Sequence, residues 1–145
     1  MSTDLPTNCP FCDDSQSYRH ITETELIRAI YPKSPACNFH VLLVPKTHRQ
    51  TLDELTPDEM QPLFELLQRT VAIAHEQVPG FIGYNVLSNN GSEAVNQRVK
   101  HAHVHLFLRT DQETTNPLEP SHSHEPFPLT DEQKTYMKQL QTWLQ

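Results

Sequence analysis

Residues 99–109 read Val99-Lys100-His101-Ala102-His103-Val104-His105-Leu106-Phe107-Leu108-Arg109, and this stretch decides the fold. Strand alternation puts Lys100, Ala102, Val104, Leu106 and Leu108 on one face and Val99, His101, His103, His105, Phe107 and Arg109 on the other. Apart from Lys100 the first set is a core face, so the spacing predicts one long strand over 99–109. His101, His103 and His105 then stand in a row, about 6.6 to 7 Å apart along the strand. Such a row is a solvated polar face, a metal site of neutral imidazoles, or a nucleophilic centre in which one imidazole attacks phosphorus while its neighbours bind oxygens or protonate a leaving group. Spacing alone does not choose among the three.

Working outward, residues 81–87 (FIGYNVL) predict a strand before this one, with the turn-rich 88–93 (SNNGSE) between. Upstream, 38–45 (NFHVLLVP) is an apolar run closed by proline, a buried strand, and 21–31 holds one or two short strands. A helix opens at Thr56-Pro57-Asp58-Glu59, where Thr56 caps, Pro57 suits the first turn and Glu59 completes a capping box; it runs to about Val78 and stops at Pro79-Gly80. Met60, Phe64, Leu67, Val71, Ala74 and Val78 form its apolar stripe, and Pro62 removes a donor and predicts a kink. A last helix follows Thr130, paired with Gln133 as a second capping box, and buries Tyr136, Met137, Leu140, Trp143 and Leu144. The order β, β, α, β, β, α indicates an α+β fold with an antiparallel sheet of about five strands.

The chain has 145 residues, which predicts a single domain over 1–145: a core of about 9–110, a polar, Pro-rich exposed loop at 111–128 and a C-terminal helix over 130–144. The first eight residues read as an arm. A net charge of −7 excludes a general nucleic-acid binder, and no apolar run is long enough to span a membrane. The start lacks the basic and apolar regions of a signal peptide, so the expected location is the cytoplasm. Three cysteines are an odd number for a disulfide framework; Cys9-Pro-Phe-Cys12 is spaced for a metal, and Cys37 reads as a small buried residue rather than a substitute ligand. His20, His75, His122 and His124 read as ordinary polar residues.

The run His101-Ala-His103-Val-His105-Leu106-Phe107 resembles the signature of the histidine triad (HIT) nucleotide hydrolases and transferases, His-φ-His-φ-His-φ-φ with φ apolar, at every position. Phe39 to His48 is similar to that family's strand ending in Pro-Lys-x-His, Tyr84 to Gly91 to its strand and Asn- and Gly-containing loop, and Cys9 with Cys12 to its optional zinc pair. These matches stand in the family's order between Cys9 and Arg109. One stretch departs from it: the family's Gly-Gln-Ser-Val is here Asn96-Gln97-Arg98-Val99.

The resemblance implies a HIT-like fold and a hydrolase or nucleotidyl transferase cleaving at the α-phosphate of a purine nucleotide ester, anhydride or phosphoramidate. It implies His103 as nucleophile, His105 and His40 on phosphate oxygens and leaving group, and His101 orienting His103. Gln97 and Asn89 would hold phosphate or ribose, and Arg98, in place of serine, would add a phosphate contact. It further implies structural zinc on Cys9, Cys12, His48 and His101, no metal in the chemistry itself, and a homodimer. A rival is a zinc-stabilised nucleotide-binding module without turnover; another is a metal enzyme using His101, His103 and His105 together as ligands.

Overall fold

In a computed structural model of the chain, residues 9–12, 19–113 and 128–145 are described. The N-terminal arm and most of the 111–128 loop, with His122 and His124, lie outside the described residues. Five strands form one antiparallel sheet: β1 (His20–Glu23), β2 (Ile27–Ile30), β3 (Phe39–Pro45), β4 (Phe81–Leu87) and β5 (Val104–Thr110), in the order β1-β2-β3-β5-β4. Helix α1 (Pro57–Gln77) connects β3 to β4, and α2 (Asp131–Trp143) follows β5. The continuous apolar run of β3 is buried along its whole length because it is the central strand, covered on both faces.

The two faces carry different covers. Val41 and Leu43 of β3, Leu106 and Leu108 of β5, and Ile27 and Ala29 of β2 pack beneath α1 and α2 in the main core. Leu42, Val44 and Ile30 point the other way and meet Cys9 and Phe11 in a second, smaller cluster. The Cys9–Cys12 turn therefore lies on the sheet face that bears His40 and His105, since Leu42 pairs with His105 and His40 with Phe107.

Both capping boxes form: Glu59 Oε1 accepts the Thr56 amide at 2.8 Å, and Gln133 Oε1 accepts that of Thr130 at 2.9 Å. The stripe expected on α1 is displaced. Leu63, Leu66, Leu67, Thr70 and Ala74 face the sheet, whereas Met60 and Phe64 stand out at 40% and 57% exposure. The helix has apolar residues at three- and four-residue spacing on two adjoining faces, and sheet packing decides between them. On α2, Met137, Leu140 and Leu144 are buried, with Tyr136 and Trp143 half-buried around Phe39.

The strand expected over 99–109 is shorter than its alternation. Regular pairing begins at Val104: β4 ends at Leu87, opposite His105, and the last two residues of β3, Val44 and Pro45, pair with β2 but not with 102–103. Ala102 is still buried toward the core, so the alternation persists past the end of the ladder. His101 and His103 thus sit on an extended lead-in rather than on a strand, and only His105 of the three belongs to β5. Among the described residues no helix is long and apolar enough to cross a membrane.

Candidate active site

Freed from the ladder, the lead-in is held by other bonds. Ala102 N–H donates to the Arg49 carbonyl at 2.6 Å, and the ring of His101, fully buried, places Nε2 2.8 Å from the Pro45 carbonyl. A carbonyl only accepts, so the proton is on Nε2 and Nδ1 carries a lone pair. That Nδ1 lies 3.4 Å from Cys9 Sγ, 3.4 Å from Cys12 Sγ and 3.0 Å from His48 Nδ1, while Cys12 Sγ is 3.4 Å from His48 Nδ1.

The four ligand atoms of Cys9, Cys12, His48 and His101 all fall within 4.8 Å of one another. A tetrahedron with metal–sulfur bonds of about 2.3 Å and metal–nitrogen bonds of about 2.0 to 2.1 Å has edges of about 3.3 to 3.8 Å, so the spacing fits a zinc ion. The donor chemistry agrees: two thiols, two imidazoles and a carbonyl bond that turns one imidazole lone pair toward the centre. Burial, reinforced by the Cys9 thiol, raises the pKa of Cys12 to about 12, and burial lowers that of His101 to about 4. Cys37 lies elsewhere, in the wall of an open cleft of about 380 Å³ with Ala36, Asn38 and Glu113, as a buried thiol.

His103 is nearly buried, and its Nδ1 lies 2.8 Å from the backbone carbonyl of His101. The proton therefore sits on Nδ1 and the lone pair on Nε2. Burial lowers the His103 pKa, which favours the neutral ring. His101 thus contacts His103 through its main chain and not through a hydrogen bond of its imidazole. His40 shows the opposite arrangement: its Nδ1 accepts the Ala36 amide at 3.0 Å, so the neutral ring carries its proton on Nε2, 3.0 Å from His105 Nδ1. His105, accepting at Nδ1, holds its own proton on Nε2. The His103 and His105 ring centroids are 5.0 Å apart, and Phe11 meets His103 edge-on at 5.1 Å and His101 at 5.8 Å.

The remaining expected contacts divide. Asn89 is half-buried in the loop after β4. Arg98 is exposed, with Nε 3.3 Å from Asn96 Oδ1. Gln97, expected on phosphate or ribose, is fully buried: Oε1 accepts the Gly91 amide at 2.6 Å, and Nε2 donates to the carbonyls of Gln50 at 2.7 Å and Val99 at 3.1 Å. Its amide is consumed in tying the β4–β5 connection to the β3–α1 connection, which corrects its expected role. A shared three-histidine metal site does not form either, since the His101 lone pair faces the cysteines and His103 Nδ1 is committed to a carbonyl. Sequence reasoning missed Pro45, Arg49 and Ala36, which act through main-chain atoms that leave no side-chain signal. Phe11, the aromatic inside the Cys-x-x-Cys turn, was legible and not used.

A sheet backed by two helices, with paired histidines and a Cys/His cluster on its other face, defines the class. The family model described as HIT domain matches residues 15–112, and the chain belongs to the HIT family. It is 32% identical to the adenosine 5'-monophosphoramidase of Candida albicans, covering 74% of this chain and 74% of that one. It is 26% identical to an adenylylsulfatase of Arabidopsis thaliana over 77% of this chain and 57% of that protein. Relatives in this family are therefore named as hydrolases. The fold matches that of a zinc-bound histidine triad family protein from Mycobacterium smegmatis with a TM-score of 0.72 at 24% identity, covering 94% of this chain and 93% of that one.

The hydrogen bonds assign distinct tautomers, which ring-nitrogen NMR at neutral pH measures directly. His103 is expected with its proton on Nδ1, and His101 and His105 with theirs on Nε2. A His103 ring protonated at Nε2 would contradict the geometry.

Proposed function

We propose that the chain is a nucleotide hydrolase or nucleotidyl transferase, acting at the α-phosphorus of a purine nucleotide ester, anhydride (such as a dinucleoside polyphosphate) or phosphoramidate. The observation that carries this reading is the pair of opposed tautomers: an Nε2 lone pair on His103 beside an Nε2–H on His105. The first is a nucleophile and the second a donor to a phosphate oxygen or leaving group. The lone pair of His103 Nε2 forms a bond to phosphorus as the bond to the leaving oxygen or nitrogen breaks. The departing group takes a proton delivered by His105, which His40 supports from behind. Water then attacks the nucleotidyl-imidazole, giving its proton to His105 in place of the one delivered to the leaving group, which returns both rings and releases the nucleoside monophosphate. The names of the monophosphoramidase and adenylylsulfatase relatives support an amine or sulfate leaving group on an adenylyl substrate. Asn89 and exposed Arg98 are the substrate contacts this reading retains.

Cys9, Cys12, His48 and His101 would hold zinc as a structural ion, through two thiolates and two imidazoles. Bound there it would tie the Cys9–Cys12 turn, and Phe11 within it, to the lead-in that carries His103. The thiols that this site needs fit a cytoplasmic location, with residues 1–145 as one domain. The partner surface fits a second copy of the chain: β4 is an edge strand of the sheet, and its Ile82, Tyr84 and Val86 are exposed together with Met60 and Phe64 of α1.

Three outcomes are expected. His103→Asn abolishes turnover of adenylylated amines while nucleotide affinity stays within about tenfold, because a nucleophile contributes little to ground-state binding; His105→Ala is impaired less. Turnover by His103→Asn at the natural rate removes the nucleophile, and a wild-type chain that binds nucleotide with no turnover of any adenylylated compound favours the binding module. Elemental analysis finds about one zinc per chain, and Cys9→Ser with Cys12→Ser loses both the metal and several degrees of Tm. Light scattering gives twice the chain mass, reduced to a monomer by Ile82→Glu with Val86→Glu; a monomeric natural chain rejects the dimer.

A further inference from the structure

Arg49 and Glu59 take no part in the chemistry above, yet the segment that carries it rests on them. Glu59 stands in the first turn of α1 and is only 3% exposed. Its carboxylate receives the Thr56 amide at 2.8 Å and the Arg49 Nε at 3.1 and 3.4 Å. Arg49 in turn offers its carbonyl to Ala102 N–H at 2.6 Å, and Ala102 lies between His101 and His103. A neutral amide would cap the helix as well as a carboxylate does, so helix capping alone does not account for a buried charge with a guanidinium on it.

The position of this pair in the chain explains more. Residues 101–103 lack a β-ladder, since β5 begins at Val104. Their height above the sheet is set by the 45–50 segment, through the Pro45 carbonyl on His101 and the Arg49 carbonyl on Ala102. That segment is itself a connection between β3 and the first turns after it, and the Arg49–Glu59 ion pair anchors it to α1, the longest rigid element. Gln97 adds a second strap one residue further on, by donating to the Gln50 carbonyl.

We propose that Arg49 and Glu59 are a positioning pair: by fixing the Arg49 carbonyl on Ala102 N–H, they set the distance of His103 Nε2 from the phosphorus of the bound nucleotide. This inference rests on the reading of His103 as nucleophile. Displacement of a reacting group by about 1 Å costs up to about a hundredfold in rate, with little effect on binding.

The test uses the full chain and three variants: Glu59→Gln, Arg49→Met with Glu59→Gln, and Arg49→Lys. The double variant leaves no unpaired buried charge and keeps an amide oxygen for the Thr56 N–H, so it separates positioning from stability. Expected for it are a Tm close to the natural one, kcat for an adenylylated amine lowered about tenfold or more, and KM within about threefold. Amide exchange at Ala102 is expected to be about tenfold faster, with Leu106 and Leu108 in the β3–β5 ladder unchanged. Arg49→Lys, which restores the charge, should recover most of kcat. Natural kcat together with natural Ala102 protection in the double variant would overturn the proposal and leave the pair a stabiliser of the helix start. Should the double variant fail to fold, Glu59→Gln alone is read by the same kcat and Ala102 exchange. If the natural chain shows no turnover, the nucleophile reading fails by itself, whereas natural turnover with an unaffected variant sinks only the positioning pair.

Discussion

His101 is fully buried on a stretch of chain with no strand partner, and both its ring nitrogens and its main-chain carbonyl are committed. Nε2 meets the carbonyl at the end of β3, Nδ1 joins the Cys9, Cys12 and His48 cluster, and the main-chain carbonyl holds the ring of His103. Each bond restricts the next. Without the Pro45 contact the imidazole could carry its proton on either nitrogen, and a protonated Nδ1 would present no lone pair to the cluster. The sheet, the candidate metal centre and the candidate nucleophile are thus joined through one residue.

The same logic extends to the other rings. A backbone carbonyl can only accept and a backbone N–H can only donate, so each main-chain partner forces one tautomer on a neutral imidazole. His103 meets a carbonyl and His40 meets the Ala36 amide, and the two outcomes are opposite. Burial adds to this by disfavouring the charged form of His103, which would have no lone pair left. A row of chemically identical side chains in this way acquires different proton positions.

The two faces of the sheet divide the work of stability and chemistry. Beneath α1 and α2 lies the large apolar core, and on the reverse face a handful of side chains around Phe11 separates the rings from solvent. A cover that small gains little from apolar burial alone, which is why four metal-type ligands at its edge matter to its placement. Phe11, between two of them, touches the rings of both His101 and His103, so the turn that reaches the metal-type cluster also walls the His103 ring.

The sequence by itself determined the elements and the residue types. Continuous apolarity marked β3 as buried, capping boxes at Thr56 and Thr130 began both helices, and alternation separated Ala102, Val104, Leu106 and Leu108 from the histidines. These follow from local periodicity and short-range hydrogen bonding, and a linear chain carries both. What only the tertiary structure decided depends on which neighbours a residue finds. The ladder stops at Val104 because β4 ends beside it and the last residues of β3 pair only with β2, Met60 and Phe64 face outward because the sheet packs on the adjoining face of α1, and Gln97 turns inward because the β3–α1 and β4–β5 connections meet at its amide. The proton positions on His101, His103 and His105 belong to the same group. They are set by the carbonyls of Pro45 and His101 and, through His40, by the amide of Ala36, main-chain groups with no side-chain signature, so that no pattern of side chains announces them.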